Sequence, residues 1–560
     1  IRAMISTSSI PRWKGLLVAS LLLALYLGVG VFDHDIWAPT EPAVAGVVWN
    51  MFQNGDWAIP RIHEFPYLEK PPLNYWISTL FCHIVGRLDA GWIRLPSALY
   101  GLLCLFWTTW VLKSRIRLET SLVLLPLLAT SGFFYELFHR AGSDALATAF
   151  GFACWTVFLR TLSPNPPEPR KTFALDVLFS ILLAASFYAK NFSTCFVVLP
   201  PVLLFLLAKR QFRRAFHIGL LVSAFSILLI LPWALALHEK GGWDYLRVVF
   251  VDNTLGRFLD LGDQRTMEIL NDAYVVEKNK SLFFYAESLA SFMLPWIFFY
   301  FVAIASLFRR GGKQDDFRLF LKISLVSVPL VLTLSSSRSV FYAAPILLIL
   351  FLIAGEFLSE WLDTRRPLHR WERWLLQLNT LFVSLALAVA PLALALYFHR
   401  LPMALWSIPF VLVLAWLFRT HRFHPAAFSF GFLNFSAIAM ILLLACAYPA
   451  LNEMKSFRFF FEDIQTELDG REIAAVFCDD RRLPVLTYYL HRRMPLIQEQ
   501  DIRRAARSHR PLGLILPPDL YEKHLPDLQP LNPTVIQTKR GKEDAFVFVG
   551  LTPAITYNYK

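Results

Sequence analysis

The sequence predicts a polytopic α-helical membrane protein of about thirteen transmembrane helices, followed by a small C-terminal α/β domain. Three observations carry this reading. Of the 560 residues, 56% are hydrophobic and only 17% charged, whereas a soluble protein of this length carries about a quarter. Apolar stretches recur from residue 15 to residue 448, and each matches the roughly 20 residues that a bilayer core of about 30 Å requires. Lys and Arg gather in alternate gaps between these stretches, as the positive-inside rule demands.

Taken in order, the expected spans lie near 15–32, 92–112, 119–137, 145–160, 173–190, 192–208, 215–237, 283–308, 318–334, 340–358, 376–396, 402–418 and 426–448. The first follows Arg12 and Lys14 and has no small-residue cleavage site, so it reads as a retained signal anchor. Basic clusters at 113–117, 160–171, 209–214, 309–318, 365–373 and 419–422 assign those gaps to the cytoplasm. The other gaps, including the long ones at 33–91 and 238–282, then face outward. Leu73–Val85 is apolar but short, and spanning there would invert every later gap. It is expected to lie along the outer interface. Residues 1–451 form the membrane domain and 452–560 the α/β domain, with strands expected at 473–477, 512–516, 535–538 and 545–549. An odd number of spans places that domain outside, in the periplasm of a bacterial inner membrane.

Composition also excludes some functions. The net charge of +12 sits in short inter-helix gaps rather than in one stripe, which argues against nucleic acid. Cys82, Cys104, Cys154, Cys195, Cys446 and Cys478 show no metal-ligand spacing, and no metal site or cofactor is expected.

The residues suited to chemistry collect on the outer side. Asp33, Asp35 and Glu41 follow the first helix. Glu41 precedes Pro42 and an apolar run, which puts it at the N-cap of an interfacial helix, either as a structural cap or as a carboxylate aimed at a cavity. Lys70 stands before Pro71 and Pro72, which hold it in extended backbone. Asp144 lies where two helices meet, and Lys190 lies between two spans with almost no loop. Pairing of Lys190 with Asp144 is the structural alternative to a functional role. Arg257 offers a planar fork of donors, and Arg338 and Tyr342 mark another outer helix end. Four cations with carboxylates nearby suit a lipid-linked phosphate and a general base.

At these residues the chain resembles the GT-C glycosyltransferases of the protein O-mannosyltransferase superfamily, in the bacterial branch that contains the lipid A aminoarabinose transferase. The resemblance spans roughly residues 15–350. It rests on Tyr67-Leu68-Glu69-Lys70-Pro71-Pro72, Arg94-Leu95-Pro96, Asp144, Ala189-Lys190, Gly256-Arg257-Phe258, Leu294-Pro295-Trp296 and Tyr342-Ala343-Ala344-Pro345, in that order. It implies a polyprenyl-phosphate sugar donor, with a lipid, glycan or protein acceptor outside the cytoplasm, and inversion at the anomeric carbon. It also implies that Lys70 and Arg257 hold the donor phosphate, helped by Glu69, Lys190, Arg338 and Tyr342. Glu41 matches the family's second acid and becomes the expected base, with Asp33 or Asp35 reaching in as the alternative and Asp144 as the further catalytic carboxylate. The chain departs from the family where Thr40 replaces the usual Asp and Ala43 the usual Arg, and where Asp252-Asn253 replaces Glu-His. The readings from other classes are a flippase for a lipid-linked substrate and a non-catalytic lipid-binding scaffold.

Overall fold

The computed structural model describes residues 12–163, 167–256, 281, 283–309, 315–335, 338–364, 366–421, 425–468, 471–476, 482–506, 511–538, 541 and 545–551. A helix or a bent pair of helices coincides with each expected span. Among the described residues, six helices are long and apolar enough to cross a membrane, and eight count if each of two bent pairs is one span. Length and composition therefore account for eight of the thirteen expected crossings. Leu228, Leu231, Leu385, Leu396, Leu412 and Trp416 are exposed on long helices, which fits surfaces solvated by lipid rather than water.

The chain begins with α1 (Arg12–Gly28) and turns into the outer loop carrying α2 (Glu41–Asn54) and α3 (Leu73–Val85). At 13 residues and 1.5 Å per residue, α3 is about 20 Å long, too short to span. Its buried positions include Asn74, Ser78 and Thr79, whereas Leu80 and Ile84 are 50% and 73% exposed. That inverted pattern suits a helix lying against hydrocarbon. Between the two runs a small antiparallel hairpin, β1 (Arg61–Ile62) and β2 (Phe65–Pro66), turns the chain toward Lys70.

The membrane bundle continues through α4 (Ala90–Leu112), α5 (Leu118–Ala129), α6 (Gly132–Phe138), α7 (Ser143–Arg160), α8 (Pro169–Ala185), the short α9 (Phe187–Lys190), α10 (Ser193–Ala208) and α11 (Phe212–Leu246). Two expected spans are broken. The first bends by 66° between α5 and α6, and the second bends by 112° between Phe284–Phe292 and Ile297–Leu307. Pro295 stands in the second break, and Pro126 lies in the last turn of α5 ahead of the first, positions where a missing N–H weakens the helical ladder. The breaks face each other. Gly132 donates its backbone N–H to the Leu294 carbonyl at 2.8 Å, and Trp296 Nε1 reaches Thr130 Oγ1 at 3.2 Å. Freed backbone groups at membrane depth are thus satisfied within the protein, as they must be.

Ion pairs tie the basic gaps together on one face. Arg115 pairs with Asp315 and Glu356, Lys209 with Asp316, Arg214 with Asp176, and Arg318 with Glu360. The carboxylates of the first outer loop gather at the other helix ends. The chain is a multi-pass membrane protein in which the gaps alternate between two faces.

The last long helix runs from Pro425 to Lys455, past residue 452, and the α/β unit follows it. Its sheet has the order β4-β3-β5-β7-β6, formed by β3 (Glu472–Val476), β4 (Leu496–Ile497), β5 (Leu512–Leu516), β6 (Thr534–Ile536) and β7 (Val547–Leu551). The neighbours β4, β3 and β5 are parallel, while β7 is antiparallel to both β5 and β6. Side chains alternate across it. Ile473, Ala475, Ile515 and Phe548 share a core with Val44 and Val47 of α2, while Ala474, Val476, Leu514 and Leu516 fill the opposite face. Gly46 of α2 lies so close to Pro484 that a Cβ there would meet the proline Cβ at 2.5 Å. The α/β unit is therefore docked directly on the interfacial helix.

Candidate active site

After β2 the chain turns at Leu68–Glu69 and bends at Lys70, with Pro72 already in helical backbone, rather than following the extended path expected from the prolines, and it is pinned from both sides. Tyr67 donates its N–H to the Pro60 carbonyl at 2.8 Å, and Asn253 Nδ2 donates to the Leu68 carbonyl at 2.9 Å. This presents Lys70, whose Nζ donates to Glu69 Oε1 at 2.6 Å, while the Tyr67 hydroxyl donates to the same carboxylate. Opposite, α9 ends at Lys190, whose ammonium donates to the Asp144 carboxylate in the first turn of α7. The ammonium also lies 4.5 Å from the centre of the Tyr342 ring, a cation–π arrangement.

Lys70, Lys190 and Tyr342 converge on one cavity of about 60 Å³. Asn191, Ser193, Asn253, Thr254, Leu332 and Ser335 complete most of its wall. Asn253 and Thr254 come from a π-helical turn, Arg247–Gly256, a distortion that recurs at functional sites. Each lysine already has one carboxylate partner, and an ammonium has three donors. Both retain capacity for an anion entering between them.

The other expected site residues fall differently. Arg338 does not line this cavity. Its guanidinium donates to the Ser281 carbonyl at 2.9 Å and the Thr333 carbonyl at 3.0 Å. Arg257 lies outside the described residues.

Glu41 requires a correction. It is the first residue of α2, with Thr40 as N-cap, not a cap side chain aimed at a cavity. It is 1% exposed, and both oxygens are taken by Arg94, Nε at 2.8 Å and Nη2 at 3.0 Å. The backbone N–H groups of Trp37 and Ala141 donate to it at 3.0 Å each. Burial alone would raise the Glu41 carboxyl, but the Arg94 charge and its hydrogen bonds outweigh burial and hold it below the ordinary glutamate value. Arg94 also donates to the Val31 carbonyl at 2.6 Å and the Asp35 carbonyl at 3.0 Å. This bidentate pair fixes the first outer loop onto α4.

Asp35 and Asp33 are likewise engaged. Asp35 accepts from Asn452 Nδ2 at 3.0 Å and Ser456 Oγ at 2.6 Å, and Asp33 accepts from the Gly30 N–H at 2.9 Å. Sequence reasoning missed Asn191, Ser193 and Thr254 as cavity residues, because it weighed ionisable groups and passed over neutral ones.

Comparison with known proteins bears on this geometry. Residues 69–235 match the family model described as dolichyl-phosphate-mannose-protein mannosyltransferase. The chain is 24% identical over 426 residues, 74% of its length and 69% of the relative, to an undecaprenyl phosphate-alpha-4-amino-4-deoxy-L-arabinose arabinosyl transferase of Pseudomonas fluorescens. It is 26% identical to the Pectobacterium carotovorum enzyme of that name over 70% of this chain and 67% of the enzyme. In fold it matches the crystal structure of ArnT from Cupriavidus metallidurans bound to undecaprenyl phosphate, with a TM-score of 0.76 over 97% of this chain and 98% of that one, at 16% identity. The chain is a glycosyltransferase of the GT-C type. The matched segment of this glycosyltransferase starts at Glu69, and Lys70, Asp144 and Lys190 all fall within it.

Proposed function

We propose that this glycosyltransferase moves a sugar from a polyprenyl phosphate to a hydroxyl of a lipid acceptor of the lipid A kind, with inversion at the anomeric carbon. The observation that carries the reading is the meeting of two ammonium groups, Lys70 and Lys190, on one cavity, with the partly buried Asp144 bound to Lys190. The relatives named above transfer aminoarabinose from undecaprenyl phosphate, which supports the donor class.

In this mechanism the donor phosphate lies between Lys70 and Lys190. The acceptor oxygen attacks the anomeric carbon as Asp144 takes its proton. The bond from that carbon to the phosphate oxygen breaks, and its electron pair leaves with the polyprenyl phosphate. The lysines stabilise the charge gathered there. Glu69 holds Lys70 in place, and Tyr342 lies against Lys190. Polyprenyl phosphate is a competent leaving group without further activation, so we propose that no metal is needed.

Purified protein given undecaprenyl-phosphate aminoarabinose and lipid A is expected to release undecaprenyl phosphate, with the rate unchanged in EDTA. Lys70→Ala is expected to raise the donor requirement roughly ten- to hundredfold, the loss of one charge-assisted contact of about 1.5–3 kcal/mol. Movement of intact donor across a vesicle without cleavage overturns the transferase reading in favour of a flippase. Full activity of Lys70→Ala at limiting donor moves the phosphate site elsewhere.

We also place this chemistry on the periplasmic face of the bacterial inner membrane. The basis is the charge of the opposite face, whose gaps carry the Lys and Arg clusters. A C-terminal reporter that is active only in the cytoplasm is expected to be silent. Strong activity would reverse the orientation of the whole site.

A further inference from the structure

We infer that Asn191 recognises a hydroxyl of the donor sugar and so sets which sugar the cavity accepts; this rests on the donor reading above. Asn191 breaks two local rules at once. Its backbone has φ 51°, a region that favours glycine, and it joins α9 to the residues leading into α10. Its side chain is buried, 7% exposed, with Oδ1 shielded and lacking any hydrogen-bond partner. Buried amides are ordinarily satisfied, and one left unpaired is costly. Both departures fall on a residue that lines the cavity of Lys70 and Lys190. Strain and an unmet polar group retained together at a cavity wall mark a ligand contact rather than a packing solution.

The unmet atom also identifies its partner. A carbonyl oxygen only accepts, and phosphate oxygens only accept at neutral pH, so Oδ1 cannot serve the phosphate. It needs a donor, and the sugar hydroxyls are the donors carried next to that phosphate. Lys190, the preceding residue, points its ammonium to Asp144 and the phosphate end. Asn191 then faces the sugar end.

The test is Asn191→Gly, which removes the amide and suits the backbone. Three quantities are read: the melting temperature without ligand, Kd for undecaprenyl phosphate, and Kd for two donors, undecaprenyl-phosphate aminoarabinose and undecaprenyl-phosphate glucose. The variant is expected to melt about 1–3 °C higher and to bind undecaprenyl phosphate as the wild type does. The ratio of Kd values for the two sugar donors is expected to shrink about three- to tenfold. A lower melting temperature, an equal loss of bare undecaprenyl phosphate, a preserved ratio, or a wild type that shows no preference each overturns the inference. A wild type that binds no undecaprenyl phosphate at all removes the donor reading itself, and the sugar contact with it.

Discussion

Asp144→Asn is expected to lower turnover about 100-fold or more, within the range for loss of a general base, while binding of undecaprenyl phosphate persists. The substitution keeps the shape and can still accept a hydrogen bond from Lys190. It removes the ability to take a proton together with the negative charge that pairs with Lys190, so the melting temperature is read beside the rate. Among the described residues, Asp144 is the carboxylate bound to a cavity lysine from the bundle side, and Glu69 is its counterpart from the loop side. Glu69 is held by two donors, Lys70 and the Tyr67 hydroxyl. Asp144 has Lys190, whose ammonium is shared with the phosphate once donor enters. That sharing weakens the ammonium's hold on the carboxylate at the moment when a base is needed. Single-turnover rates and undecaprenyl phosphate affinity for Asp144→Asn and Glu69→Gln decide between them. A dead Glu69→Gln beside a near-normal Asp144→Asn transfers the role to Glu69.

The parts of this fold that rest on composition and charge were legible in the sequence. The spans near 92–112, 145–160 and 376–396 appear as α4, α7 and the helix Arg370–Tyr397, because a continuous apolar run leaves a chain in lipid little choice but helix. The interfacial placement expected for α3 followed from its short length and from the inversion of the later basic gaps that a span there would cause. The broken spans were less accessible. Pro126 and Pro295 are visible, but a proline inside a membrane helix either kinks it or is absorbed. The outcome depends on whether another segment can receive the freed backbone groups, and the Gly132 to Leu294 contact joins residues far apart in sequence.

The site divides along the same line. Lys190 stood out because charge at membrane depth is costly and has to be accounted for, Lys70 because two prolines follow it, and Asp144 because it stands where two helices meet. Asn191 gave no such signal, since its backbone angle and its unpartnered oxygen exist only in three dimensions. Arg94 was visible in the run Arg94-Leu95-Pro96, yet nothing local showed that it would meet Glu41, 53 residues earlier. That missing partner is why Glu41 read as a free carboxylate.

Glu41→Gln is accordingly expected to act on the fold. The pair is almost wholly excluded from solvent, with Arg94 at 0% and Glu41 at 1% exposure. Removing one partner of such a pair leaves the other buried and uncompensated, at a cost of about 3–5 kcal/mol. A neutral amide also cannot accept at both oxygens from Arg94, Trp37 and Ala141, so at least one donor loses its acceptor. The same geometry sets the acid behaviour. Glu41 is held below the ordinary glutamate value, so its contribution is whole above that value and is lost as pH falls through the depressed one. The variant lacks this acid-sensitive step. Thermal denaturation in detergent measures the loss, and Glu41→Gln combined with Arg94→Met is expected to recover part of it, since a buried charge without its partner is then gone. If Glu41→Gln instead melts like the wild type and is inactive with donor bound, the carboxylate acts in the chemistry and the structural account of the Arg94 pair is wrong.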